Sequence, residues 1–212
     1  MKFYACCRLF HAMVDAIGEC RKDKSWSLDQ LTAIEAFGPR LMSEGHMQYR
    51  PESVMSAQYS LPYSIAASLK LDPRDPRSFN DEAMKRKDVL ALADLVTGSV
   101  DPALQKEFPA KFAGGIRFRL NDGRVVEKTL LDSYGTPAKP VDAAGIEGKF
   151  RALTDGIVAS DRQAKILAAA MKLDEAASGA RPDRSARPWC SSTRRESGER
   201  GGVTSHRVGA AF

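Results

Sequence analysis

Three polar side chains that can do chemistry lie close together near the start of the chain, in the stretch CCRLFHAMVDA (residues 6–16). His11 and Asp15 are four residues apart, so on a helix they would share one face. An aspartate beside a histidine can fix its tautomer and raise its basicity, which suits general acid–base catalysis. Arg8 lies three residues before His11 and would bring a positive charge that binds anions. The same His–Asp spacing is more often a surface or capping contact, so the pattern alone leaves both interpretations open.

A second stretch, SAQYSLPYSIAASL (residues 56–69), carries Tyr59 and Tyr63, which are again four residues apart. A tyrosine on a helix is usually a core residue with its hydroxyl at the edge of the core. A phenol that lines a pocket can instead donate a proton or hold a carboxylate. The spacing does not choose between these two roles.

The sequence offers little that would hold a metal ion or a cofactor. Its three histidines are far apart and His11 has no second ligand nearby, so we expect no local metal site. The four cysteines fit neither a disulfide framework nor a metal motif, and reduced thiols in the cytoplasm are the simplest interpretation. Because no Gly-rich phosphate loop or nucleotide motif is present, we expect no cofactor.

The elements that would position these side chains predict an α+β fold with a small antiparallel sheet and flanking helices. Apolar residues at helical spacing predict a helix over residues 3–20 and another that begins near Pro62 and ends near Leu69. Strands are predicted over residues 31–37 and on both sides of Asn121-Asp122-Gly123, since Asp-Gly favours a hairpin. Further helices are predicted over residues 82–98, 143–158 and 160–176.

Composition and charge divide the chain into a body and a tail. The 212 residues are 43% hydrophobic and 28% charged, which is enough for one domain with an ordinary core. No signal peptide and no apolar run of about 18 residues is present, so we expect no membrane span. Residues 178–212 carry seven arginines against three acidic residues and have no hydrophobic period. We therefore expect a domain of residues 1–177 followed by a disordered tail.

The two stretches with chemistry, in this order and some forty residues apart, resemble the MmgE/PrpD family. The later elements also follow the family's order, with an ALADLV helix, a hairpin containing LNDGR and a helix containing GIEGKFRAL. The resemblance covers roughly residues 2–176. It implies a two-domain enzyme in which a large helical domain precedes a smaller α+β lid domain, with the active site between them. This sequence corresponds to the lid domain.

The resemblance also implies an activity: a cofactor-free lyase or isomerase that acts on a small polycarboxylate, as in 2-methylcitrate dehydratase. His11 falls on the family's active-site histidine, Tyr63 on a pocket tyrosine and Asp15 on the acidic position of the motif, so these are the candidate catalytic residues. Arg8 and Tyr59 are the candidate substrate-binding residues. The full-length family implies a homodimer. Because the helical domain carries the remaining catalytic groups, the lid alone is expected to be inactive.

Two other interpretations stay open. Arg117, Arg119 and Arg124 on the hairpin, together with the Arg-rich tail, would suit a non-enzymatic module that binds RNA or DNA. Outside the tail the chain is nearly neutral and lacks the aromatic–basic strand pattern of RNA-binding sheets, so a nucleic-acid partner is less favoured. The third interpretation is a truncated or pseudogene product without an activity of its own. Separately, the abrupt change of composition at the tail is typical of a shifted reading frame or of an unrelated extension.

Overall fold

The computed structural model describes residues 2–173, so the predicted tail lies outside the described residues. The chain divides into a unit of residues 1–167 and a second unit, residues 168–212, which is described only as far as Leu173. The strands are β1 Leu31–Gly38, β2 Val96–Val100, β3 Gly114–Leu120 and β4 Val125–Leu130. The helices are α1 His11–Cys20, α2 Arg40–Glu44, α3 Val54–Tyr59, α4 Leu61–Lys70, α5 Asp81–Met84, α6 Lys87–Asp94, α7 Pro102–Glu107, α8 Ala143–Thr154 and α9 Ser160–Met171.

The four strands form one mixed sheet in the order β2–β1–β3–β4. β3 and β4 form the predicted antiparallel hairpin, and its turn places Gly123 at a φ of 85°, which glycine adopts without a steric penalty. β1 pairs antiparallel with β3, whereas β2 runs parallel to β1. The α+β class is therefore confirmed, and the sheet holds one parallel pair in addition to the antiparallel pairs that we expected.

One face of the sheet is buried under helices. On this face Ile34 pairs with Phe118 and Ala36 with Ile116, and all four side chains are buried. α1 packs on β3 and β4, and α4 packs on α1 and α6, so the apolar sides of these helices cover the sheet. This core fixes the position of α1, the helix that begins at His11.

The other face carries a row of ion pairs across three strands. Arg117 on β3 pairs with Glu35 on β1 and with Glu127 on β4. At the end of the hairpin, Arg124 pairs with Asp122 at 2.7 Å. Two of the three hairpin arginines considered for nucleic-acid binding are therefore neutralised by carboxylates of this chain.

The prediction of a regular helix from residue 3 onward is wrong for the first residues, because α1 begins only at His11. The backbone amides of Ala5 and Cys7 donate instead to the carbonyls of Pro73 and Gln58, at 2.8 and 2.7 Å. In a helix from residue 3 the Cys7 amide would instead have bonded to the Phe3 carbonyl. The residues before α1 thus form an irregular segment that is held by distant parts of the sequence.

The prediction of one helix over residues 82–98 is also wrong. α6 ends at Asp94, and the chain continues as strand β2 at the edge of the sheet, where the Ile34 amide donates to the Leu95 carbonyl at 3.0 Å. Val96 is the only fully buried residue of β2. With one buried position, the strand shows no alternation of apolar and polar residues that would have predicted it.

The described residues contain no helix that is both long and apolar enough to cross a bilayer.

Cys6, Cys7 and Cys20 are buried free thiols. Burial raises the pKa of the Cys6 thiol to about 12, so this thiol stays protonated and unreactive. Within residues 2–173, no three His, Cys, Asp or Glu side chains come together in a group that could hold a metal ion.

Candidate active site

His11 is the first residue of α1, and its side chain is completely buried. A 3₁₀ turn leads into the helix, and the carbonyl of Arg8 at the start of that turn accepts the His11 backbone amide. Phe10 and Val14 are buried beside it and anchor the turn and the helix in the core. His11 is therefore held on a rigid element by core packing, as a group that takes part in catalysis requires.

Arg8 sets the tautomer of His11. The Nη1 atom of Arg8 lies 3.1 Å from Nδ1 of His11. Because a guanidinium can only donate, Nδ1 is the acceptor and the proton of the neutral ring sits on Nε2. The same Nη1 atom donates to the Oγ atom of Ser133 at 3.1 Å. Arg8 thus fixes a ring whose Nε2–H group is its remaining donor.

The Nε2 atom of His11 is buried and makes no hydrogen bond with any of the described residues. The ring of Tyr4 lies edge-on to the imidazole, with 5.1 Å between the ring centres. Burial, and after it the charge of Arg8, lower the pKa of His11 to about 3, while a contact with the Cys6 backbone opposes this fall. At neutral pH His11 is therefore an uncharged hydrogen-bond donor. An unpaired buried donor costs about 1–3 kcal/mol, which suggests that the atom serves a ligand.

Arg8 is half-buried, and no carboxylate of residues 2–173 pairs with it. Exposed arginines of the same chain, such as Arg74 and Arg86, each pair with a nearby aspartate. The contacts to His11 and Ser133 occupy Nη1 of Arg8 and leave the hydrogens on Nε and Nη2 for other acceptors. A guanidinium without a counterion, next to a neutral imidazole, is suited to binding a carboxylate.

Asp15 does not bond to His11, although the spacing of the two residues suggested that it would. Its carboxylate accepts the Tyr4 hydroxyl and, at 2.6 Å, the backbone amide of Tyr134. Burial, followed by the bond to Asp15, raises the pKa of the Tyr4 hydroxyl. Because the ring of Tyr4 stands against His11, Asp15 acts on the imidazole only through Tyr4.

The two candidate tyrosines do not share a helix face. α3 ends at Tyr59, and Ser60 has an extended backbone before α4 begins, so the four-residue spacing crosses a break. Tyr63 is fully buried and donates its hydroxyl to the Ser78 carbonyl at 2.8 Å, and burial raises its pKa to about 12. Tyr59 is exposed, with its ring centre 6.1 Å from that of His46. Tyr63 is thus placed as a core tyrosine, and Tyr59 lies on the surface.

Comparison with known proteins identifies the larger group to which the chain is related. The family model of the MmgE/PrpD C-terminal domain matches residues 4–175, which is most of the sequence. The chain belongs to the MmgE/PrpD family. The resemblance carried by the two motifs near the start is therefore confirmed for the whole described body of the chain.

Two curated relatives of this MmgE/PrpD chain are cis-aconitate decarboxylases. The protein from Aspergillus terreus strain NIH 2624 / FGSC A1156 is 28% identical over 184 residues, which cover 82% of this chain and 37% of that protein. A second Aspergillus terreus protein is 27% identical with the same coverage. This chain spans little more than a third of the length of the curated relatives that it matches.

The MmgE/PrpD motifs led to Arg8 and His11 but not to the residues that surround them. Ser133, Tyr4 and Tyr134 complete the site, and none of them was a candidate. Ser133 lies in the loop after the hairpin, 125 residues from Arg8, so no local spacing could indicate it. Tyr4 lies two residues before the motif and could have been found there, but the helix predicted from residue 3 assigned it a different position.

The buried state of His11 predicts a pH dependence of folding. The unfolded chain takes up a proton on this residue as the pH falls below about 6.5, whereas the folded chain takes it up only near the pKa of about 3. Stability that His11 supports at neutral pH is therefore lost as the pH falls, by at most about 1.4 kcal/mol per pH unit. Urea unfolding between about pH 7 and pH 5 measures the slope, which should be smaller in His11→Gln.

His46→Gln is the matched control, because His46 is only half-buried and hydrogen-bonds the Tyr59 carbonyl outside the Arg8 site. This variant should keep the slope of the parent chain. Equal slopes in His11→Gln and the parent would mean that His11 takes up its proton normally in the folded protein.

Proposed function

We propose that this chain supplies the C-terminal part of the active site of a cofactor-free lyase that acts on a small polycarboxylate. The observation that carries the proposal is the pair formed by Arg8 and His11: among residues 2–173 the guanidinium has no counterion, and the Nε2–H of the buried imidazole beside it has no partner. Membership in the MmgE/PrpD family supports the lyase class. The named activity of the two relatives supports cis-aconitate, a tricarboxylate, as the first substrate to test.

In this proposal Arg8 binds a carboxylate of the substrate through its free Nε and Nη2 hydrogens. Charge-assisted bonds of this kind are about twice as strong as neutral ones, and their planar geometry orients the carboxylate. His11 then directs Nε2–H at the reacting part of the bound molecule. In a decarboxylation the bond from carbon to a carboxylate breaks, CO₂ leaves, and a proton replaces it on carbon. Nε2–H either stabilises the negative charge that develops, or it delivers this proton and the imidazolate left beside Arg8 takes a proton back from solvent.

The other candidates have lesser roles in this proposal. Asp15 orients the site by holding Tyr4, and it does not touch the imidazole. Tyr63 would reach a substrate only if its bond to the Ser78 carbonyl broke. Tyr59 lies next to His46 at the surface, where a second domain could cover it.

The other half of the site is proposed to come from the N-terminal helical domain that the family resemblance implies. The relatives are almost three times as long as the segment that they share with this chain, since the match covers 37% of each. The protein to be assayed is therefore a fusion. It joins this chain to the part of the Aspergillus terreus cis-aconitate decarboxylase that precedes the matching segment; we call it the fusion below.

Arg8→Gln in the fusion should raise KM for cis-aconitate at least about tenfold, because a charged hydrogen bond is worth about 1.5–3 kcal/mol. Steady-state kinetics measures this change. Arg86→Gln is the control, since Arg86 is exposed and pairs with Asp88, and its KM should stay within about twofold. An unchanged KM in Arg8→Gln would remove Arg8 from the proposed site.

A further inference from the structure

A single lysine joins helix α8 to the first residues of the chain. The Nζ atom of Lys149 donates to the carbonyls of Lys2 and Phe3, at 2.7 and 2.8 Å. The same ammonium lies 5.7 Å from the centre of the Phe3 ring. Lys149 is half-buried, burial lowers its pKa, and no carboxylate of residues 2–173 pairs with it. Its charge therefore serves to hold the backbone of the N-terminal segment.

The segment that Lys149 holds leads directly to the imidazole of His11. Phe3 is buried, with its ring edge-on to those of Tyr4 and Tyr134 at 5.4 and 4.6 Å. Tyr4 follows in the chain, bonds through its hydroxyl to Asp15 and stands edge-on to His11. A continuous set of contacts therefore runs from α8 through Phe3 and Tyr4 to the imidazole.

We propose that Lys149 is a positioning residue for His11, because it fixes the segment that places Tyr4 against the imidazole. The ring of Tyr4 and the rest of this segment keep water away from His11. They also hold the imidazole in the orientation in which Nδ1 accepts from Arg8. The contribution of Lys149 to catalysis rests on the proposed function. Its effect on the surroundings of His11 does not, so the two can fail separately.

The charged and polar groups that act on His11 come from three elements. Arg8 donates to Nδ1, and the Cys6 backbone and Tyr4 approach from the N-terminal segment. The charges of Lys2 and Lys149 also disfavour a proton on the ring. Removing Lys149 frees the segment and deletes one of these positive charges. Both changes favour protonation of His11, so its titration reports whether the segment is held.

Nitrogen-15 NMR of the full chain tests this role without any assay of activity. In the parent chain, His11 should stay neutral with its proton on Nε2 from about pH 8 to pH 5. In Lys149→Met the proton affinity of His11 should rise at least about a hundredfold, so that the ring becomes about half protonated near pH 5. Lys149→Arg keeps both the charge and the donors and should restore the behaviour of the parent chain.

Two further variants keep the result unambiguous. Lys165→Met is the control, because Lys165 is exposed and pairs with Asp161 on the surface of α9, and it should leave His11 unchanged. A chain without residues 1–3 keeps Lys149 but removes the carbonyls that it holds, so His11 should titrate as in Lys149→Met. This second variant decides the question if Lys149→Met does not fold. A His11 ring that stays neutral in the variant without residues 1–3 would overturn the proposal.

Kinetics of the fusion separates this proposal from the proposed function. Lys149→Met should lower kcat at least about tenfold and leave KM within about threefold, because Arg8 still binds the substrate while His11 loses its orientation. If the NMR result is as expected but the fusion has no activity with any Lys149 side chain, the proposed function fails and the positioning of His11 stands. If Lys149→Met lowered both kcat and the thermal stability but left the His11 titration unchanged, Lys149 would have a structural role only.

Discussion

Replacing His11 with glutamine in the fusion should lower kcat/KM for cis-aconitate by about 10²- to 10⁴-fold, the usual contribution of a group that moves a proton in the transition state. Glutamine is similar in length and keeps an N–H donor, but its amide does not release a proton. In the structure His11 is buried, neutral and held by Arg8, so the loss should fall mainly on kcat. Steady-state kinetics with circular dichroism as a check on folding measures both effects.

The control for this prediction is His46→Gln in the same fusion. His46 is a half-buried histidine that bonds to the Tyr59 carbonyl, and it should keep kcat/KM within about threefold. Near-normal turnover in His11→Gln would remove His11 from the chemistry. A variant that no longer folds would instead identify His11 as a residue that the core requires.

This chain without a helical domain should turn over cis-aconitate no faster than buffer does. The proposed site holds one anion-binding guanidinium and one neutral donor, and within residues 2–173 no free base approaches His11. A site that lacks its partner groups also loses the orientation of its substrate, which is worth about 7–11 kcal/mol of the barrier. Progress curves for the chain alone, the N-terminal part alone and the fusion make the comparison.

The same assay should be repeated with 2-methylcitrate and with iminodisuccinate, since the family resemblance leaves dehydration and epimerisation open. Turnover of one of these by the fusion, and not of cis-aconitate, would keep the lyase or isomerase class and change the substrate. Robust turnover of any of the three by the chain alone would contradict the idea that the site is shared between two domains. If a folded fusion turned over none of the three substrates, the result would favour the interpretation that this chain is a truncated gene product without an activity of its own.

The sequence predicted those parts of the fold whose signals are local. The hairpin followed from Asp122-Gly123 between two alternating runs, and the start of α4 near Pro62 followed from the preference of proline for the first turn of a helix. β2 could not be predicted in the same way. Its residues at the sheet edge have one buried position, and its pairing with β1 depends on contacts over some sixty residues.

In the candidate site too, the contacts between sequence neighbours were predictable and the contacts with distant residues were not. Arg8 and His11 are three residues apart and do meet, because a turn of helix brings such neighbours together. Asp15 has the right spacing to meet His11, but Tyr4 and the Tyr134 amide bind its carboxylate first. These partners come from the irregular segment before α1 and from a distant loop. Spacing along a helix says nothing about such competitors.

For Tyr63, the sequence could not predict whether the side chain lies in the core or lines a pocket. The motif places a tyrosine on α4, and local pattern cannot say whether that face of the helix looks into the core or into a pocket. Packing against Phe79, with 5.8 Å between the ring centres, and the bond to Ser78 place it in the core. These contacts support a structural role for Tyr63, as a core tyrosine whose hydroxyl is hydrogen-bonded.

A crystal structure of the fusion with an unreactive tricarboxylate such as tricarballylate tests the central claim most directly. We predict a carboxylate oxygen of the ligand within about 3.2 Å of Nε or Nη2 of Arg8, with Nε2 of His11 facing the central carbons. The contact between Arg8 and Nδ1 of His11 should persist, because it fixes the tautomer. A ligand bound elsewhere, with Arg8 and the Nε2 atom of His11 still unpartnered, would contradict the account.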